Sequence, residues 1–312
     1  MKVGRANSAR ALVGAAILGL AAFVLLIQYA PDTVAFSPNN YGWNGLQGVA
    51  SAYGVNFTMS FSSLPSGAVL VISQPSIGFS GSDAASVRSF LLSGGTVLVA
   101  DKSGVANSLL SKIGSDITIL SSTTISDRTY NWKSASVPTA LVLPGAKSQF
   151  RFLQNASGIA LNQPSPLLIS GSQAVTLAMT SEFSVASPST SGAVGAQGPY
   201  VVMAAQRFGK GTLVVLGDSQ FLLNSQWTIA DNRALIGGLF GHGSVYFDAS
   251  HWGATSIAQT KIILGELYAF VSGSPMRYIA TLFIVGLALA LVPSGSGSMI
   301  LTGRKEDGAV ER

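Results

Sequence analysis

Asp248 and His251 stand three residues apart, just after the apolar run Val245-Tyr246-Phe247. A carboxylate at that spacing can orient an imidazole and leave its other nitrogen free to move a proton. A second polar set begins at Asp218-Ser219, directly behind the apolar run Thr212–Leu216, and continues with Asn224 and Asp231-Asn232. Polar residues at the carboxyl ends of strands line the binding crevice of an open α/β sheet. If Asp218, Asp248 and His251 meet at one sheet edge, they make an acid–base hydrolase centre or a sparse metal site. The plainer alternatives are structural. Asp248 and His251 fasten a turn, Asp218 and Ser219 cap the next one, and Asp231 caps a helix over Asn232–Phe240. The candidate ligand-binding residues are therefore Asp218, Ser219, Asn224, Asp231, Asn232, Asp248 and His251. The chain has no cysteine, which removes disulfides, thiolate metal sites and cysteine nucleophiles.

The elements that would carry these residues follow from hydrophobic pattern. Ala68–Gln74 and Thr96–Ala100 are continuous apolar runs, as in strands covered on both faces. Between them, Ser82 and Asp83 offer caps for a helix that runs to Leu92 and stops at Gly94-Gly95. Val105–Ile113 predicts a short helix ending at Gly114. Val55–Phe61, Thr139–Leu143 and Ala174–Thr180 predict further strands, whereas Ser121–Ser136 and Ser184–Gly198 read as loops. Tyr200–Gln206 and Thr212–Leu216, separated by Arg207–Gly211, predict a hairpin. Gly209-Lys210-Gly211 is not a phosphate loop. Its glycines precede a strand, and its lysine is followed by Gly211 rather than by Ser or Thr opening a helix.

Only 10% of the residues are charged and 48% are apolar, against roughly 25% charged in an ordinary soluble domain. Ala11–Ile27 and the stretch from Tyr278 towards Leu301 predict two transmembrane helices. A cleaved signal peptide competes for the first, although a signal's apolar core is usually shorter. Lys2, Arg5 and Arg10 orient the chain with both termini cytoplasmic and the central domain outside. The formal net charge is +5, but no basic patch interleaved with aromatics occurs between the apolar runs, which disfavours nucleic acid as a partner.

The order of several motifs resembles a known family. These are Ser37–Leu46, the core Ala68–Pro75 with Phe90–Asp101, the segment Gly209–Asn224 with Asp231-Asn232, and Val245–Gly253 with Ala249 where an acid is often found. They are similar to the uncharacterised family of membrane-anchored glutamine-amidotransferase-like, flavodoxin-like domains, related to the auxiliary domain of gliding-type ABC transporters. The resemblance implies an accessory role in a membrane assembly, with a MoxR-type ATPase system or a transporter as partner. True amidotransferases place a cysteine on the turn that corresponds to Asp101–Gly104. None is present, and Ser103 lacks a G-x-S-x-G elbow, which excludes glutaminase chemistry.

The resulting expectation is an α/β protein with a mainly parallel, class I amidotransferase-like sheet and a hairpin, flanked by two membrane helices. Its divisions are a tail at 1–10, helices at 11–30 and 276–301, an extracytoplasmic domain at 31–255, a connecting helix at 256–275 and a tail at 302–312. The expected function is non-catalytic binding as an accessory subunit, without a cofactor. The rivals are a metal-dependent or acid–base hydrolase using Asp218, Asp248 and His251, and a structural envelope protein.

Overall fold

The computed structural model describes residues 12–23, 25, 33–188, 195–241, 243–252 and scattered positions between 260 and 282. The chain divides into a unit spanning Ala30–Ile262 and another made of Met1–Tyr29 with Ile263–Arg312. His242 and Glu266 lie outside the described residues, as does most of the connecting helix expected at 256–275.

The larger unit opens with α1 (Gln47–Tyr53), β1 (Asn56–Thr58), β2 (Val69–Ser73), α2 (Gly81–Leu92), β3 (Thr96–Ala100), α3 (Asn107–Ile113) and β4 (Ile117–Ile119). It continues with β5 (Thr123–Ser126), β6 (Thr139–Val142), α4 (Pro144–Gln149), a 3-10 turn at Arg151–Leu153, β7 (Gly158–Ala160), β8 (Leu167–Ile169) and β9 (Ala174–Met179). The last elements are β10 (Val185–Pro188), β11 (Ala196–Gln197), β12 (Val201–Phe208), β13 (Gly211–Leu216), a 3-10 turn at Gln220–Leu222, α5 (Asn232–Phe240) and β14 (Val245–Asp248).

A nine-stranded open sheet runs β1-β14-β2-β3-β13-β12-β9-β6-β7. Pairings from β1 to β13 are parallel, and those from β13 to β7 are antiparallel. The expectation of a mainly parallel, flavodoxin-like sheet is therefore corrected to a mixed one. Gly209-Lys210 is too short for a crossover, so β12 must return antiparallel to β13, and β9 and β6 extend that half in the same sense. The Ser/Thr-rich segments expected as loops instead contribute β5, β10 and β11 to a separate three-stranded sheet.

Alternation within the buried strands fills two cores. Val69, Val71 and Leu98 face the layer that holds α1 and α5, while Leu70, Ile72, Val97 and Val99 face α2 and α3. This double coverage is why β2 and β3 read as unbroken apolar runs. Ser80 caps α2 in a capping box with Asp83, so the cap lies two residues before the expected Ser82. All five parallel strands leave their carboxyl ends on one edge of the sheet.

The membrane expectation is also corrected. Among the described residues, no helix is long and apolar enough to cross a membrane. Part of the span expected at 11–30, and nearly all of that at 276–301, lies outside the described residues. The two-pass topology, the bilayer as partner and the outside placement of the central domain lose their structural basis.

Candidate functional site

Asp248 is the last residue of β14 and is 2% exposed. The chain turns there, so Asp248 Oδ1 accepts the Ser250 amide at 2.9 Å and the Ser250 hydroxyl at 2.7 Å. The turn brings His251 Nδ1 to 2.8 Å from Asp248 Oδ2 and 2.9 Å from Ser250 Oγ. An Nδ1–H donating to Asp248 leaves Nε2 as the exchangeable position. Nε2 lies 3.5 Å from Asp83 Oδ2. The imidazole stacks on Phe79 with ring centroids 3.9 Å apart, and on Phe61 at 5.6 Å. The backbone is pinned as well. His251 O accepts the Ser76 amide at 2.8 Å, and Trp252 Nε1 donates to Ser73 O at 3.1 Å.

The electrostatics follow from this setting. Burial favours the neutral imidazole, but the hydrogen bond and charge of Asp248, reinforced by Asp83, outweigh it and raise the His251 pKa above its ordinary value. For Asp83, partial burial acts upward, while the Ser80 hydrogen bonds and His251 bring the net value below the usual carboxylate range. Asp83 Oδ2 takes both the Ser80 amide at 2.8 Å and the Ser80 hydroxyl at 2.5 Å. One carboxylate thus caps α2 and faces the histidine.

Of the seven residues expected at the site, Asp248 and His251 come together. Asp218 lies on the same edge but in a different hydrogen-bonded set. It is fully buried, with Oδ2 accepting the Asn162 amide at 2.7 Å and Oδ1 the Gln220 amide at 2.8 Å. Burial pushes its pKa up to about 6, against the pull of those amides and Lys102. Ser219 hydrogen-bonds Gln74, which follows β2 with a left-handed φ of 49°. Asn224 accepts the Gly48 amide at 2.8 Å and donates to Asn40 O and Gly42 O, so it ties two loops. Asp231 sits at the N-cap of α5 without a side-chain cap bond, and accepts the Ser157 and Gly158 amides instead. Asn232 brackets Ala160 through both its amide and its carbonyl.

Sequence reasoning assigned Asp83 only a capping role and missed Phe61 and Phe79. The Ser80-x-x-Asp83 capping signature was the available signal for the helix start, but the contact with His251 joins residues 168 positions apart (251 minus 83). Among the described residues, no group of three or more His, Cys, Asp or Glu is arranged to hold a metal ion. The turn where an amidotransferase nucleophile would stand is closed on itself. Asp101 accepts the Ser103 amide and hydroxyl at 2.7 Å and the Ala106 amide at 3.0 Å.

These observations overturn the non-catalytic accessory reading. A buried histidine between two carboxylates is a candidate acid–base centre, so enzymatic activity is not excluded by the missing cysteine. The MoxR-type or transporter partnership that the resemblance implied is not supported, since among the described residues no helix is long and apolar enough to cross a membrane. The comparisons also overturn the amidotransferase-like identity. No curated protein matches the chain. Among solved structures it is similar to the mmIFT52 N-terminal domain, at 18% identity and a TM-score of 0.40, covering 55% of this chain and 75% of that one. It is similar to a β-galactosidase from Bacillus circulans sp. alkalophilus at 15% identity and a TM-score of 0.33, covering 56% of this chain and 23% of that one. An exo-β-1,4-mannosidase from Opitutaceae bacterium strain TAV5 gives 13% identity and a TM-score of 0.30, with 57% and 26% covered. The chain thus spans about a quarter of either glycosidase, and likenesses this distant assign no activity. The family match is broader: residues 35–240 carry β1 to β13 and the helices α1 to α5 of the larger unit, and by that match the chain belongs to the family described as Domain of unknown function (DUF4350).

Proposed function

We propose that this domain is an acid–base hydrolase whose reacting group is His251. The observation that supports the reading is the placement of one buried imidazole between Asp248 at 2.8 Å and Asp83 at 3.5 Å. Asp248 holds the ring and its tautomer through Nδ1. Nε2 takes a proton from a water as that oxygen attacks the electrophilic centre of the substrate, then returns it to the leaving group. Asp83 stabilises the imidazolium that forms between these steps. Phe61 and Phe79 keep the ring in plane. Phe61 also borders a cavity of about 210 Å³ lined by Ser62, Ser86, Ser89 and Ser93, which offers hydroxyls to a polar substrate. Asp218, expected to join this chemistry, takes no part in the proposed step, because its carboxylate is engaged by Asn162 and Gln220.

The test is a panel of nitrophenyl acetate, nitrophenyl phosphate and nitrophenyl β-galactoside, run with wild type, His251→Gln and Asp248→Asn. Hydrolysis of one of the three substrates, reduced about 10²–10⁴-fold in His251→Gln at unchanged near-UV circular dichroism, is the expected result. Its kcat/KM rises with pH through the elevated His251 pKa, because the base must be neutral to accept a proton. Equal rates in a folded His251→Gln protein, or hydrolysis of none of the three, would reduce the cluster to a turn fastener.

A further inference from the structure

The opposite edge of the sheet carries an unrelated feature. A cavity of about 370 Å³ lies beside the amino ends of β2, β3 and β13, bordered by Val69, Thr96, Thr212 and Arg207. A larger one of about 1040 Å³ is bordered by Tyr53, Asn155, Thr228 and Arg233. The two share Arg151, Phe152 and Gly238, so they form one furrow between α5 and the Arg151–Leu153 turn.

Three arginines from three elements face this furrow: Arg151 from the turn, Arg207 from β12 and Arg233 from α5. Both ion pairs among the described residues belong to His251, so none of these guanidinium groups is matched by a carboxylate. Arg207 lies over the Phe150 ring at 5.1 Å and donates one bond from Nη2 to Gln149 O at 3.3 Å, and Arg233 lies over Trp227 at 5.7 Å, contacts that support the stems while the remaining guanidinium N–H groups stay available to a ligand. The acid in the lining, Asp231, is engaged by the amides of Ser157 and Gly158. Tyr53 and Thr228 add hydroxyl groups, and Asn155 adds an amide. Gly238 keeps α5 close to the turn, since a Cβ there would stand 2.2 Å from Phe152 O.

We infer that this furrow is a binding site for a soluble ligand carrying several phosphate groups. A single anion satisfies one guanidinium, whereas a polyphosphorylated ligand spans cations set on separate elements. Arginine suits phosphate because its planar fork donates two parallel hydrogen bonds. The site lies at the amino edge of the parallel strands and His251 at their carboxyl edge, so the inference stands apart from the hydrolase reading.

The test is calorimetric titration of the full chain with inorganic tripolyphosphate, at low and raised salt, with citrate run beside it as a tricarboxylate. Tighter binding of tripolyphosphate than of citrate is expected, weakening as salt rises. Arg151→Gln/Arg233→Gln loses roughly tenfold to a hundredfold in affinity, and the corresponding Lys/Lys variant recovers part of it. His251→Gln binds like wild type. Arg207→Gln alone gives a smaller loss and serves if the double variant does not fold. No binding by wild type, preference for citrate, or undiminished binding in folded glutamine variants overturns the inference.

Discussion

Two buried carboxylates at one sheet edge have different partners. Asp248 faces an imidazole and hydroxyl and amide donors, whereas Asp218 has only two backbone amides and the distant charge of Lys102. With its pKa raised to about 6 from an ordinary 3.8, Asp218 binds its proton more tightly in the folded state. Its favourable contribution is therefore complete below about pH 3.8 and is lost as pH rises through about 6, by at most ~3 kcal/mol. Urea unfolding of wild type across that window is expected to show falling stability, and Asp218→Asn to lose that slope. A slope that persists in the variant would assign the titration elsewhere. His251 also has a raised pKa, so its clip to Asp248 and Asp83 is fully present below about pH 6.5 and fades as pH climbs through the elevated value. Asp83, lowered, loses its share as pH falls through its depressed value. His251→Gln should therefore lower the melting temperature more at pH 6 than at pH 9, and an equal loss at both would show that stacking on Phe79 dominates.

The elements meet at tolerances that single residues set. The amino end of α2 depends on Ser80, whose hydroxyl and amide engage Asp83. Ser80→Ala is expected to cost about 1 kcal/mol in chemical denaturation. It should also change the pH profile of any His251-dependent rate, because Asp83 loses the bonds that orient it. A plain cap would leave that profile unmoved. At the other end, Gly211 opens β13 where α2 closes down. A Cβ there would stand 2.2 Å from Leu91 O and 2.4 Å from Gly95 O. Both obstacles are backbone and cannot swing aside, so Gly211→Ala should lose roughly 1–3 kcal/mol, read as a drop in denaturation midpoint. Little change would mean that α2 can slide along the sheet.

Across the whole Ala30–Ile262 unit, one sheet divides two apolar layers. Leu239 on α5 belongs to one and Leu109 on α3 to the other. Leu239→Ala and Leu109→Ala should each cost about 2–5 kcal/mol. Their effects should add to within roughly 0.5 kcal/mol, because the sheet lies between them. A larger coupling in a double-mutant cycle would mean that the two layers repack together.

Local sequence was sufficient for whatever depends on local chemistry. Continuous burial in β2 and β3, the left-handed glycine after α3 at Gly114, and a hairpin turn within Arg207–Gly211 all arise within a few residues of chain. The proximity of Asp248 and His251 was legible for the same reason, as one turn spans it. Resemblance of motif order misled where identity depended on the direction of strand pairing and on expected membrane helices. Ser/Thr-rich β5 and β10 escaped notice because strand pairing, rather than apolar run, makes them strands. Only the tertiary structure could decide that Asp83 and the two phenyl rings face His251, that Asp218 is spent on Asn162 and Gln220, and that Arg151, Arg207 and Arg233 border one furrow. Those contacts join residues tens to nearly two hundred positions apart. No local preference encodes them; they exist because the sheet registers and the two packed layers leave these groups no other neighbours.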